Sequence, residues 1–120
     1  MQMISFLLVL LVALEHLYFL ALEMFLWTKP NTRRIFGMSE EDAETTKTLA
    51  ANQGLYNGFL AAGLGYSLIA STVEVAFTMK VFFLICVIIA GIYGGMTASR
   101  RILFVQALPA VLALIAVLIS

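Results

Sequence analysis

Charge is scarce in this 120-residue chain: seven Lys and Arg against seven Asp and Glu, together 12% of the residues and formally neutral overall. So sparse and balanced a set gives no electrostatic footprint for nucleic acid. One cysteine, Cys86, cannot form an internal disulfide, and with a single histidine, His16, no Cys/His spacing makes a zinc site. The thiol lies within Val81-Phe82-Phe83-Leu84-Ile85-Cys86-Val87-Ile88-Ile89-Ala90 and reads as an inert apolar side chain. What fills the chain instead is hydrocarbon. Hydrophobic residues make up 62%, where an ordinary soluble domain is about 45–50% apolar and about 25% charged. Composition therefore places the chain in the membrane class, and its length suits a single domain over 1–120.

Four apolar segments stand out, at about 3–27, 49–69, 81–98 and 102–119. Each approaches the roughly 20 residues a helix needs to cross the hydrocarbon layer, where open strands are excluded because their backbone groups go unpaired. The expected fold is all-α, an integral membrane four-helix bundle. The first segment does not read as a cleaved leader: no Lys or Arg precedes it, it exceeds the usual apolar region of about 7–15 residues, and it ends in Trp27-Thr28-Lys29-Pro30 without a small-x-small site.

Pro30 stops the first span, Gly37 permits a turn, and Ser39-Glu40-Glu41-Asp42 has the form of an N-cap followed by first-turn acids. Span two should thus begin in water near Ser39 and enter the membrane unbroken. Lys29, Arg33, Arg34, Lys47, Arg100 and Arg101 fall in the first and third loops, and only Lys80 on the other side. The positive-inside rule then puts the long first loop in the cytoplasm and both termini outside. Pro109 is expected to kink span four.

Within the first span sit Glu15, His16 and Glu23. An ionised residue at mid-helix costs about 2.5–3.5 kcal/mol, while each Leu, Ile, Phe or Val returns only about 0.3–0.6. A lone helix of this sequence would be marginal in lipid, so its polar face needs protein cover. His16 and Glu23 lie about 20° apart around the axis, with Glu15 within roughly 100° of both. Span two carries Asn52, Gln53, Tyr56 and Asn57 within about 140° of arc, and a small-residue stripe of Gly54, Gly58, Ala61 and Gly65 facing another way. Gly54-x-x-x-Gly58 and Gly91-x-x-x-Gly95 allow close helix approach, within one protomer or between copies of a homo-oligomer.

Placed by depth, Glu23, Asn52, Gln53, Tyr56, Tyr93 and Gln106 fall near one level below the cytoplasmic interface, with His16 about 10 Å deeper and Glu15 deeper again. This predicts a polar pocket open to the cytoplasm. Such a pocket suits a small ligand or cation, with Glu15, His16 and Glu23 exchanging protons in a coupled transport step. A membrane-embedded enzyme with His16 and Glu23 as acid and base is the alternative, although no nucleophile motif accompanies it. Metal binding by His16 and Glu23 is a weaker option, since they stand too far apart on one helix to chelate together. A purely structural polar layer fixing helix register is the remaining one. No cofactor is indicated.

Glu15-His16-x-Tyr18-Phe19-x-x-Leu22-Glu23-Met24-Phe25-Leu26-Trp27, then Phe36-Gly37-Met38, then Leu49-Ala50-x-Asn52-Gln53-Gly54-x-Tyr56-Asn57-Gly58-Phe59-Leu60-Ala61-Ala62-Gly63 resemble the short membrane proteins of domain-of-unknown-function family 1304. The likeness covers essentially the whole chain and implies a four-helix, multi-pass protein of the bacterial plasma membrane, with no chemistry to carry over. A fainter likeness is to the glutathione- and eicosanoid-metabolising membrane enzymes, four-helix proteins that assemble as trimers. This chain has amides and a tyrosine where those enzymes carry Arg and Glu in span two, which argues against glutathione chemistry.

Overall fold

The computed structural model describes residues 1–120, which are helical almost throughout and contain no strand. Five helices follow one another: α1 (Gln2–Met24), α2 (Pro30–Phe36), α3 (Glu40–Ile69), α4 (Val73–Thr97) and α5 (Arg100–Ile119). Three of them, α1, α4 and α5, are long and apolar enough to cross a bilayer, as expected of a membrane protein. Helix α3, which contains the expected second span, has the length but not the same apolarity, because its first half is polar.

Boundaries depart from the expected spans for local reasons. Helix α1 closes at Met24 instead of continuing to Trp27, and the amides of Phe25 and Leu26 both donate to the Ala21 carbonyl. The segment after it is a helix of its own, α2. Lys29 takes the extended backbone that a following proline imposes, Pro30 occupies the first turn, and Gly37 ends the helix at φ 66°. Ser39 caps α3 as expected, its hydroxyl accepting from the Asp42 amide at 3.0 Å. Helix α4 begins eight residues before the expected 81, because Thr72 accepts from the Val75 amide at 3.2 Å and the charges at Glu74 and Lys80 do not interrupt a helix. Within α5 the turns over Leu103–Ala107 are wound as a π-helix. They lie directly before Pro109, whose missing N–H frees a carbonyl one turn back that local rewinding can accommodate.

By contact density the chain forms two units. One comprises residues 1–14 and 60–120, so it holds the start of α1, the end of α3, and all of α4 and α5. Its core is Val9, Val12, Ala13, Leu64, Leu84, Val87, Ala110, Ala113 and Val117. Helix α5 supplies alanines to this core, and α4 meets it with glycines. A Cβ added at Gly91 would stand 2.7 Å from the Ala107 backbone nitrogen, and one at Gly95 would strike Leu103. The Gly91-x-x-x-Gly95 surface therefore serves packing inside the chain.

The other unit, residues 15–59, holds the end of α1, all of α2 and the first two-thirds of α3. Here α1 and α3 approach through glycine as well. A Cβ at Gly54 would stand 2.7 Å from Met24 Cγ and 3.0 Å from Glu23 Cβ, and one at Gly58 would stand 2.7 Å from Leu20. At one end of this unit Trp27 Nε1 donates to Thr46 Oγ1 at 3.0 Å, and its ring packs on Phe36 with centroids 4.9 Å apart. Trp27 thus ties the segment just after α1 to α3.

Candidate functional site

Glu23 is the centre of the polar residues in the 15–59 unit. It lies on the last turn of α1, 5% exposed, where Gly54 brings the α3 backbone close. That approach puts two amides within reach. Gln53 Nε2 donates to Glu23 Oε2 at 2.9 Å, and Asn57 Nδ2 donates to Glu23 Oε1 at 2.5 Å. Gln53 and Asn57 are one turn apart on α3, so one carboxylate spans two successive turns of its neighbour, oxygen by oxygen. Hydrogen bonds to a charged acceptor are shorter and about twice as strong as neutral ones. Asn57 is 9% exposed, which makes the pair with Glu23 a buried one.

His16 is fully buried and sets its ring edge-on to Phe19, with centroids 5.2 Å apart. It lies about two turns from Glu23, roughly 10 Å along the axis. Glu15 is half-buried, and its Oε1 is shielded without a hydrogen-bond partner. An oxygen in that position is costly to keep. No group of three or more His, Cys, Asp or Glu side chains is arranged to hold a metal ion.

The other expected site residues are distributed differently. Asn52 is exposed, and Tyr56 is 59% exposed and packs edge-on to Phe59. Helical geometry explains the split. Gln53 and Asn57 are about 40° apart and border the glycine stripe, while Asn52 stands about 140° from Asn57. Helix α1 docks on the seam between the amide arc and the glycine stripe, so it selects two polar residues and leaves two outside. Tyr93, 70% exposed, and Gln106, in the π-turn of α5, belong to the other unit.

A groove in the 15–59 unit, about 520 Å³, lies away from Glu23. It runs past Tyr18, Leu22 and Leu26 to Lys29, Asn31 and Thr32. Sequence reasoning did not single out this feature. Its signal was the i, i+4 spacing of Tyr18 and Leu22 leading into the cationic Lys29–Arg34 segment.

The family described as "Protein of unknown function (DUF1304)" matches residues 10–118. The uncharacterised protein YpaA of Lactococcus lactis subsp. lactis (strain IL1403) is 37% identical over 117 residues, covering 96% of this chain and 97% of that protein. No solved structure matches.

Proposed function

Because the chain belongs to the DUF1304 family, whose description assigns no chemistry, we propose from its own geometry that it is a four-span protein of the bacterial plasma membrane. Its Glu23–Gln53–Asn57 cluster, with Glu23 and Asn57 buried and Gln53 at the exposed edge, would bind a small ligand or cation with exchange of a proton. The carrying observation is a buried carboxylate held at both oxygens by amides of another helix. A carboxylate has about four lone-pair positions, of which the amides take two, and each amide also carries a carbonyl oxygen. The cluster is therefore an all-oxygen acceptor set that suits a hard cation or a cationic amine. An amide can also turn its carbonyl toward a protonated acid, so the same three side chains serve Glu23 with or without its proton.

The clamp supports the span as well. Thirty residues of α3 extend about 45 Å, more than a bilayer core needs. Pairing Gln53 and Asn57 with Glu23 removes the groups that most oppose insertion. The cationic Lys29–Arg34 segment favours a cytoplasmic first loop and external termini. Association of copies belongs to the same proposal. With Gly54, Gly58, Gly63, Gly91, Gly94 and Gly95 filled from within the chain, the open helical glycine left for a partner is Gly65.

The test is flux in vesicles carrying the full chain and a trapped pH dye, challenged with sodium, potassium and ammonium salts. A pH change that Glu23→Gln abolishes and Asn52→Ala leaves intact is the expected result. Flux that persists in Glu23→Gln overturns the reading. One observation favours a structural alternative: both Glu23 oxygens are already engaged, and the open groove lies elsewhere. A clamp alone predicts no flux in the unmodified protein and a lower unfolding temperature in Glu23→Gln.

A further inference from the structure

The groove beside Glu23's helix face has a different chemistry from the clamp. Tyr18 and Leu22 are one turn apart on α1, and Leu26 follows just past its end, so the wall is apolar along a helix suited to the bilayer. Glu23 stands about 100° around from Leu22 and does not line it. Thr32, 2% exposed, closes the base where α2 packs. At the mouth the character reverses. Lys29 lines the groove and is exposed. Asn31 lines it too, and its Oδ1 accepts from Arg34 Nη1 at 3.3 Å, which holds a guanidinium at the rim. Arg33 is fixed in the same turn, its Nε donating to the Thr28 carbonyl at 3.2 Å. No carboxylate lines the groove. The acids that open α3, Glu40, Glu41 and Asp42, are exposed, and Glu44 pairs with Lys47 at 2.9 Å.

We propose that this groove seats one anionic phospholipid. An acyl chain lies along Tyr18, Leu22 and Leu26, and the phosphate meets Lys29 and Arg34 at the rim. An apolar channel that ends in cations at the level where a membrane helix stops matches a lipid in both halves, tail and headgroup. A soluble phosphate ligand would use only the rim and leave the apolar wall unexplained. Cations next to a membrane helix attract anionic lipids, and Arg offers phosphate a planar pair of donors. The volume of about 520 Å³ is within the range, about 300–1,000 Å³, of small-ligand clefts, enough to seat part of a lipid rather than enclose it. Nothing in this proposal depends on ion or proton binding at Glu23, so the two stand or fall separately.

Trp27 provides the readout, as the chain's single tryptophan placed between groove residues Leu26 and Lys29. The full chain is reconstituted in phosphatidylcholine vesicles doped with phosphatidylglycerol or phosphatidylcholine brominated on the acyl chains, and quenching of Trp27 is compared at equal mole fraction. The expected result is an apparent preference of about fivefold for the anionic lipid, the size that one well-placed cation supplies. Lys29→Gln should bring the two lipids close to parity. Asn31→Asp, an exposed change that places a like charge at the rim, should do the same without unfolding the chain, and Lys80→Gln in the other unit should leave the preference unchanged. Equal quenching by both lipids in the unmodified protein overturns the proposal. A preference that survives both rim variants, or falls equally in Lys80→Gln, also overturns it, since diffuse surface charge would then explain the effect.

Discussion

Two of the glycine-mediated helix contacts in this chain, one in each unit, are filled by opposite chemistry. Between α4 and α5, Gly91 and Gly95 admit Ala107 and Leu103, and every atom at the contact is hydrocarbon or backbone. Between α1 and α3, Gly54 and Gly58 admit Glu23 Cβ, Met24 and Leu20, and the space gained is used to join a carboxylate to two amides. Close approach is thus the shared device. What differs is whether it ends in dispersion alone or in directed hydrogen bonds. In lipid that matters, because hydrocarbon neighbours give an apolar contact only packing, whereas an unpaired carboxylate there has no water to fall back on.

The strongest challenge to this comparison is Gly91→Leu. The obstructing atoms are the Ala107 backbone and Cβ, at 2.7–2.9 Å from an added Cβ, so nothing flexible can yield. Destabilisation of about 3 kcal/mol, the upper end for overpacking, is expected by thermal or denaturant unfolding in detergent. Next comes the polar contact. Glu23→Ala leaves the buried Asn57 amide without its acceptor and should cost about 1–2 kcal/mol. Asn57→Ala should lower stability by about 1 kcal/mol, and a Glu23/Asn57 double-mutant cycle should return a coupling of about 0.6–1.7 kcal/mol. The same cycle with the exposed Asn52 should return none. A coupling to Asn52 equal to that of Asn57 would show that α1 does not dock on the seam described above. The smallest effect is at Gly65, where an added Cβ meets nothing within 4 Å. Gly65→Ala should stabilise the helix by about 0.5–1 kcal/mol, measured in the same unfolding assay. A loss of stability there, seen only at protein concentrations that favour association, would instead mark Gly65 as a contact between copies.

How far these contacts were legible in the sequence depends on which feature is asked about. That Glu23 needs polar company followed from the expense of a carboxylate in an apolar run, and its partners came from the amide cluster of α3. Which amides could not be read from their clustering alone. The glycine stripe carried that information, because it marks where a backbone can come close, and Gln53 and Asn57 are the amides that border it. Reading arc and stripe as faces for two different neighbours hid this. Helix α2 was missed because seven mostly polar residues show no apolar period, though Pro30 at its first turn and Gly37 at positive φ were the marks to use. The early start of α4 was masked by Glu74 and Lys80, which break an apolar count but not a helix. Tyr93 and Gln106 were grouped with Glu23 by depth, and they belong to the other unit.

The π-wound turn at Leu103–Ala107 has a consequence for how this chain tolerates change in length. A π-turn holds one residue more than the α-turn it replaces, which amounts to a spare link in an otherwise regular spring. Removing that link would let α5 rewind as a regular α-helix with Arg100 and Arg101 kept near their present direction relative to the alanine face over Ala110–Ala116, whereas the same deletion in a regular α-turn would rotate them by about 100°. One residue can therefore be lost at this turn without pointing the two arginines away from the direction fixed by the apolar half that anchors the helix.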